Sequence, residues 1–164
     1  MADIKVAYGS SASVSNAIAS LASSSGLTAG YQSEIIDNTS GLYKDFHIGG
    51  NLKVGSSGVA AGVAEIWVIP ILDDTNWPDV FDATESAETV TSREVLQTFG
   101  YRGALININA ANDIVYPYWF SVLRATGGIA PPKKFVLFTV HNSSAALAAS
   151  GQATYKVGVY HTQA

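Results

Sequence analysis

Residues 45–54 read DFHIGGNLKV: on an extended chain Phe46, Ile48, Leu52 and Val54 fall on one side, Asp45, His47, Asn51 and Lys53 on the other. A period of two is what a strand buried on one face requires, because successive side chains point to opposite faces. The Gly49-Gly50 step marks an expected bulge or bend.

The same period governs most of the chain after Tyr31. AEIWVIPIL (64–72) is apolar on both faces, which predicts a strand covered on both sides, with Pro70 pushing that part toward an edge or a bulge. GALININ (103–109) sets Ala104, Ile106 and Ile108 against Leu105, Asn107 and Asn109. DIVYPYWFSVL (113–123) stacks Ile114, Tyr116, Tyr118, Phe120 and Val122 on one side. KFVLFTVH (134–141) and TYKVGVYH (154–161) are dominated by β-branched and aromatic residues.

Turn clusters separate these segments: DNTSG (37–41), GSSG (55–58), ANDI (111–114), TGGIAPPK (126–133) and HNSSAALAASG (141–151). The last allows a helical turn stopped by Gly151. TSREVLQTFG (91–100) is ambiguous: Thr91 and Glu94 match a capping box, while Val95, Thr98 and Phe99 suit a strand, and it is read as strand or irregular. Strands without a βαβ rhythm predict an all-β antiparallel sandwich of jelly-roll type over residues 31–164. Residues 1–30 are rich in Ser, Ala and Gly. Within SVSNAIASLASSSG (13–26), Val14, Ile18 and Leu21 have helical spacing, so this part is either a short helix capped by Ser13 and stopped by Gly26 or an N-terminal arm.

Composition narrows the function classes. The 164 residues are 48% hydrophobic and 13% charged, a bland surface that suggests area hidden against partners, including neighbouring copies in a homo-oligomer. The net charge of −4 without a Lys/Arg cluster gives phosphates no counter-charge, so nucleic acid is not an expected partner. Apolar stretches are broken too early to cross a membrane, and the first residues lack the pattern of a secretory signal. There is no cysteine, which excludes disulfides and thiolate chemistry.

The chemistry-bearing stretch is EIWVIPILDDTNWPDVFD (65–82), where the apolar run breaks into Asp73, Asp74, Asp79 and Asp82 around Trp77 and Phe81. Glycosidases need two carboxyls flanking one bond, and neighbouring loop acids are more often turn formers. A calcium loop needs a glycine at its sharp turn, where this stretch carries Trp-Pro. His47, His141 and His161 lack metal-ligand spacing, and no GxSxG, GxGxxG or P-loop pattern occurs. No cofactor, no metal and no enzymatic activity are expected. The sequons at Asn38 and Asn142 read as chance matches. Trp67 and Trp119 read as core, whereas Trp77 reads as an exposed anchor. Asp74, Trp77, Asp79 and Phe81 are therefore the candidate interface residues, the aromatics as anchors and the acids as rim groups.

Three segments in order, DFHIGGNLKVG, AEIWVIPILDDTNWPDVFDATESAETVTS and PPKKFVLFTVHNSSAALAASG, resemble the jelly-roll head decoration (cement) proteins of tailed bacteriophages. Similar chains carry an NYPDVFDGTESAETVTS-type loop and a PxxFxxFxxHNTxxAL-type segment. Here Trp77 stands where Tyr is common, Ala83 where Gly is common, and Ile-Pro-Ile-Leu fills 69–72. The resemblance covers about residues 42–164. It implies a structural virion protein on the capsid exterior, with the major capsid protein of the shell as partner; a tail or neck component is close to it. The alternative from another class is a ligand- or carbohydrate-binding β-sandwich module.

Overall fold

The computed structural model describes residues 4–56, 61–109, 112–128 and 130–163; three of the expected turn clusters, at 57–58, 111 and 129, lie partly outside them. Eight strands form the frame: β1 (Ile4–Tyr8), β3 (Ala29–Gln32), β5 (Asp45–Lys53), β6 (Gly62–Pro70), β8 (Tyr101–Ile108), β9 (Val115–Ser121), β10 (Lys134–His141) and β11 (Ala153–Gln163). The two-residue strands β2 (Ala12–Ser13) and β4 (Ile36–Asp37) and the edge strand β7 (Ser86–Thr89), four residues like β3, extend the sheets, and two helices, α1 (Arg93–Phe99) and α2 (Val122–Thr126), interrupt them.

One sheet runs β1-β11-β5-β9, with β2 also on β11. The other runs β7-β3-β10-β6-β8, with β4 also on β10. All pairings are antiparallel. Counting the eight frame strands in chain order and leaving the edge strand β7 aside, the sheets read first-eighth-third-sixth and second-seventh-fourth-fifth, which is the jelly-roll connection.

The alternation of 45–54 is what places the core. Phe46, Ile48, Leu52 and Val54 are buried, as are Tyr118 and Phe120 of β9, and they meet Ile66, Val68, Ile106, Ile108, Phe135 and Leu137 from the facing sheet. Phe46 and Phe135 bridge the two sheets edge-to-face with ring centres 5.6 Å apart. β6 and β10 bury their other faces as well: Trp67, Ile69, Val136, Phe138 and Val140 enter a second cluster with Leu27, Phe81, Val90 and Leu96. Pro70 ends β6 opposite Phe135, beyond Val68, where the pairing with β8 stops.

Several expectations are corrected. Gly49-Gly50 makes no bulge, since β5 keeps its register with β11 and β9 through both residues. Gly50 is required by close approach, because a Cβ there would lie 2.0 Å from the Ala153 carbonyl oxygen. TSREVLQTFG is helical over Arg93–Phe99, and the cap is Ser92, whose hydroxyl accepts from the Val95 N–H. The hydroxyl of Thr91 is occupied by Asp79 instead. HNSSAALAASG forms no helix; Leu147 is buried and bridges to Val54. Trp119 is 63% exposed, on the side of β9 opposite Tyr118 and Phe120.

Residues 4–30 form neither a helix nor a detached arm. β1 and β2 pair with β11, and Val14 and Ile18 lie in the main core. Ser and Asn favour irregular chain, and here tertiary partners take the backbone groups: Val14 N–H donates to the Thr154 carbonyl, and Ser24 N–H to that of His141. The buried His141 locks this wrap in place. Its Nε2 donates to the Leu21 carbonyl (3.0 Å), which leaves Nδ1 to accept from the Ser143 hydroxyl (2.9 Å).

Burial pushes the His141 pKa down from its ordinary value, opposed by the bond to Leu21. The unfolded chain then takes up a proton at a pH where the folded one does not, so this contribution is present above about pH 6.5 and is lost as pH falls through the folded pKa. Thermal melts between pH 7.5 and 5 should show a falling melting temperature, and His141→Leu, though less stable at pH 7.5, should lack that part of the slope. A slope unchanged in the variant would refute the assignment.

Candidate interface loop

Residues 71–85 connect β6 to β7, and the acids of this stretch fold it. The Asp73 carboxylate accepts from the side-chain amide of Asn76 and from the N–H groups of Thr75 and Asn76, each at 2.7 Å. The Asn76 amide first, then the two N–H groups, hold its pKa down at about 2. Leu72 N–H donates to the Asn76 carbonyl and closes the turn. Asp74 pairs with Lys133, whose pKa it raises.

Asp79 sits at φ 52°, a left-handed position that Asp tolerates better than most residues. Its carboxylate accepts from the N–H (2.8 Å) and hydroxyl (2.6 Å) of Thr91, tying the loop to the approach of α1. Asp82 is held by Gln32 of β3, a fully buried side chain whose amide nitrogen donates to the Asp82 carbonyl (2.9 Å) and carboxylate (3.1 Å) and to the Thr84 carbonyl (2.5 Å). The Asp82 N–H returns a bond to the Gln32 Oε1.

The four candidate interface residues share this loop but not one role. Phe81 is a correction: it is 5% exposed and stacks edge-on against Phe138 (5.2 Å) and Phe99 (5.9 Å), so it anchors the loop to its own sheet and no face is left for a partner. Trp77 is half-buried against the same cluster. Asp74 and Asp79 remain exposed, beside Leu72 and Val80. A rigid, acidic ridge with a partly covered indole results.

Sequence reasoning missed two further features. Glu65, 1% exposed on the outer side of β6, accepts from Arg93 (2.6 Å), Arg102 (3.1 Å) and the Trp67 indole (3.1 Å), and so fastens α1 and β8 to β6. A lone Glu between apolar residues was the available signal, because a carboxylate is rarely buried without cationic partners. The other is an outward row on the first sheet. Tyr8, His47 and Trp119 touch in sequence, with ring centres 5.5 and 4.8 Å apart and planes inclined at 49° and 74°.

Among the described residues no three His, Asp or Glu side chains converge as metal ligands. Both sequon asparagines use their side chains internally: Asn38 bonds the backbone of Tyr43 through both its oxygen and its nitrogen, and the Asn142 oxygen accepts from Val63 N–H. No family model matches the chain, and no curated protein matches it.

Because Phe81 plugs the second cluster, Phe81→Ala should lower stability by about 3–5 kcal/mol, the usual cost of emptying a buried Phe site. Leu72→Ala, at an exposed position of the same loop, should change it by no more than about 0.5 kcal/mol. Urea unfolding of both variants checks this, and equal effects would contradict the assignment.

Proposed function

We propose that this chain is a structural, non-enzymatic protein of a tailed-phage virion, seated as a decoration or cement protein on the outside of the head shell. The observation that carries the reading is the state of the loop on which the family resemblance centres. Its carboxylates are bonded to loop N–H groups, to Thr91, to Gln32 and to Lys133. Carboxylates engaged in this way support a fixed recognition ridge better than a site for proton transfer. A jelly roll that spends a whole segment on stiffening an exposed ridge suits a protein whose task is to grip a surface. The acidic rim of Asp73, Asp74 and Asp79 would meet a basic patch on the major capsid protein, with Trp77 sealing the contact from behind.

A carbohydrate-binding module is the second reading, favoured by the exposure of Trp119 beside Tyr8 and His47. Sugar rings stack best on a shared aromatic plane, and the inclined rings of this row do not offer one.

The decisive measurement is gradient sedimentation of purified particles, separated into heads and tails, with mass spectrometry of each fraction. The chain should travel with heads; recovery with tails alone would move it to a tail or neck role, and absence from both would refute the virion reading. On heads stripped of the protein, Asp74→Asn should bind more weakly at low salt, by less than about tenfold, with the difference vanishing as salt is raised.

A further inference from the structure

We propose that the outward face of the β1-β11-β5-β9 sheet is a self-association surface, on which a second copy of this chain docks across a two-fold axis. In a sandwich of this kind one face of each sheet forms the core, and the other is normally solvated or covered. On the second sheet the outer faces of β6 and β10 are covered by residues 71–85 and 90–99. The outer face of the first sheet is not covered: β5 lines it with the polar Asp45, His47, Asn51 and Lys53, but the strands to either side of β5 add large apolar side chains.

Register assigns the residues. Tyr8 stands opposite Val159, and Tyr155 opposite Gly49, which stands opposite Trp119, so these side chains share one face. Ile4 (72% exposed), Val6 (58%), Tyr8 (60%) and Trp119 (63%) open onto it, together with Tyr155 and Val115. Past Val159 the β5 strand has ended, so β1 and the last residues of β11 continue as a two-stranded ribbon exposed along most of its length. Such a ribbon is marginal in water by itself and gains from packing on something.

Two properties point to a copy of the same chain as the occupant. The first is charge. The molecule carries −4 overall, so two copies repel unless they meet through a neutral surface. On this face Lys53 is matched by Asp113 (3.1 Å), and Asp45, only 8% exposed, is bonded to the Ser121 hydroxyl (2.6 Å) and the Leu123 N–H (2.8 Å) with His47 Nε2 at 3.5 Å. The acidic loop lies on the other sheet and suits a basic partner; this face suits an uncharged one.

The second is area. Covering the three aromatics and three aliphatics removes on the order of 500 Å² of apolar surface. That is at the upper end of what a monomer leaves open. It also matches the apolar share, about 60%, of the roughly 800 Å² that each partner contributes to a standard interface. A two-fold places the same patch on both sides, so each copy can set its apolar side chains against those of the other, with His47, Asn51 and Lys53 among them.

The inference rests on the reading of the chain as an assembly module, but its test uses the purified protein alone. Sedimentation velocity over a concentration series should show reversible dimers. Val6→Asp and Trp119→Ser, both at exposed positions that leave the core intact, should each weaken the dimer at least about tenfold without changing the circular-dichroism spectrum. Leu105→Asp, exposed on β8 of the other sheet, should leave association unchanged. A wild type that stays monomeric up to about 1 mM, or dimers that survive both face substitutions, would overturn the proposal. So would a monomer that uses Trp119 to bind stripped heads or an oligosaccharide. A protein that dimerises through this face but never sediments with particles would refute the virion reading and leave this one standing.

Discussion

The structure depends on covering a sheet that is apolar on both sides. β6 and β10 are hydrophobic along nearly every residue, so one face packs into the sandwich and the other would lie bare. Each large side chain left there would forfeit about 1.5–3 kcal/mol of burial. The segments on either side of β7, residues 71–85 and 90–99, prevent that while leaving their acids outside. Phe81, Val90 and Leu96 fill the outer face, and the acids of the loop keep the backbone in the shape that delivers them.

The polar groups in this cover act as fasteners. Gln32 reaches from β3 to hold Asp82 and Thr84, and Glu65 reaches from β6 to hold Arg93 and Arg102. Arg102 also lies over the Trp67 ring, 6.0 Å from its centre. A buried carboxylate with two guanidinium partners adds little net stability over an apolar filling, but removal of one partner leaves a stranded charge. Helix α1 is therefore fixed in place more by what it is tied to than by its own seven residues, which are too few to be stable alone.

Strand identity and the main core were legible because a period of two survives tertiary context: Phe46, Ile48, Ile106, Ile108, Tyr118 and Phe120 are buried as the alternation requires. The same alternation placed Trp119 opposite Tyr118 and Phe120; its size suggested core, and its register gave the better answer. Phe81 was not legible, since its partner Phe138 is far along the chain and nothing local marks a loop aromatic as inward. Val14 and Ile18 are buried as their apolar character suggests, but in an irregular segment whose backbone bonds go to β11 and β10, a pairing no local period records. The acids of the loop were legible as turn formers, whereas their particular partners, Thr91, Gln32 and Lys133, required the fold.

The pairing of the first strand with the last has a consequence during synthesis. Ile4 stands opposite Gln163, and Val14 donates its N–H to Thr154, so β1 and β2 have no strand neighbour until β11 has been synthesised. At about 5 to 20 residues per second, β1 waits on the order of ten seconds as an unpaired strand carrying Ile4, Val6 and Tyr8. The ribosome-bound chain thus displays this edge until β11 has been made, and pairing the two strands closes a long loop. Crowding of nascent chains on one message would favour wrong pairings at that edge, which makes translation speed and chaperone access part of what determines the yield of folded protein.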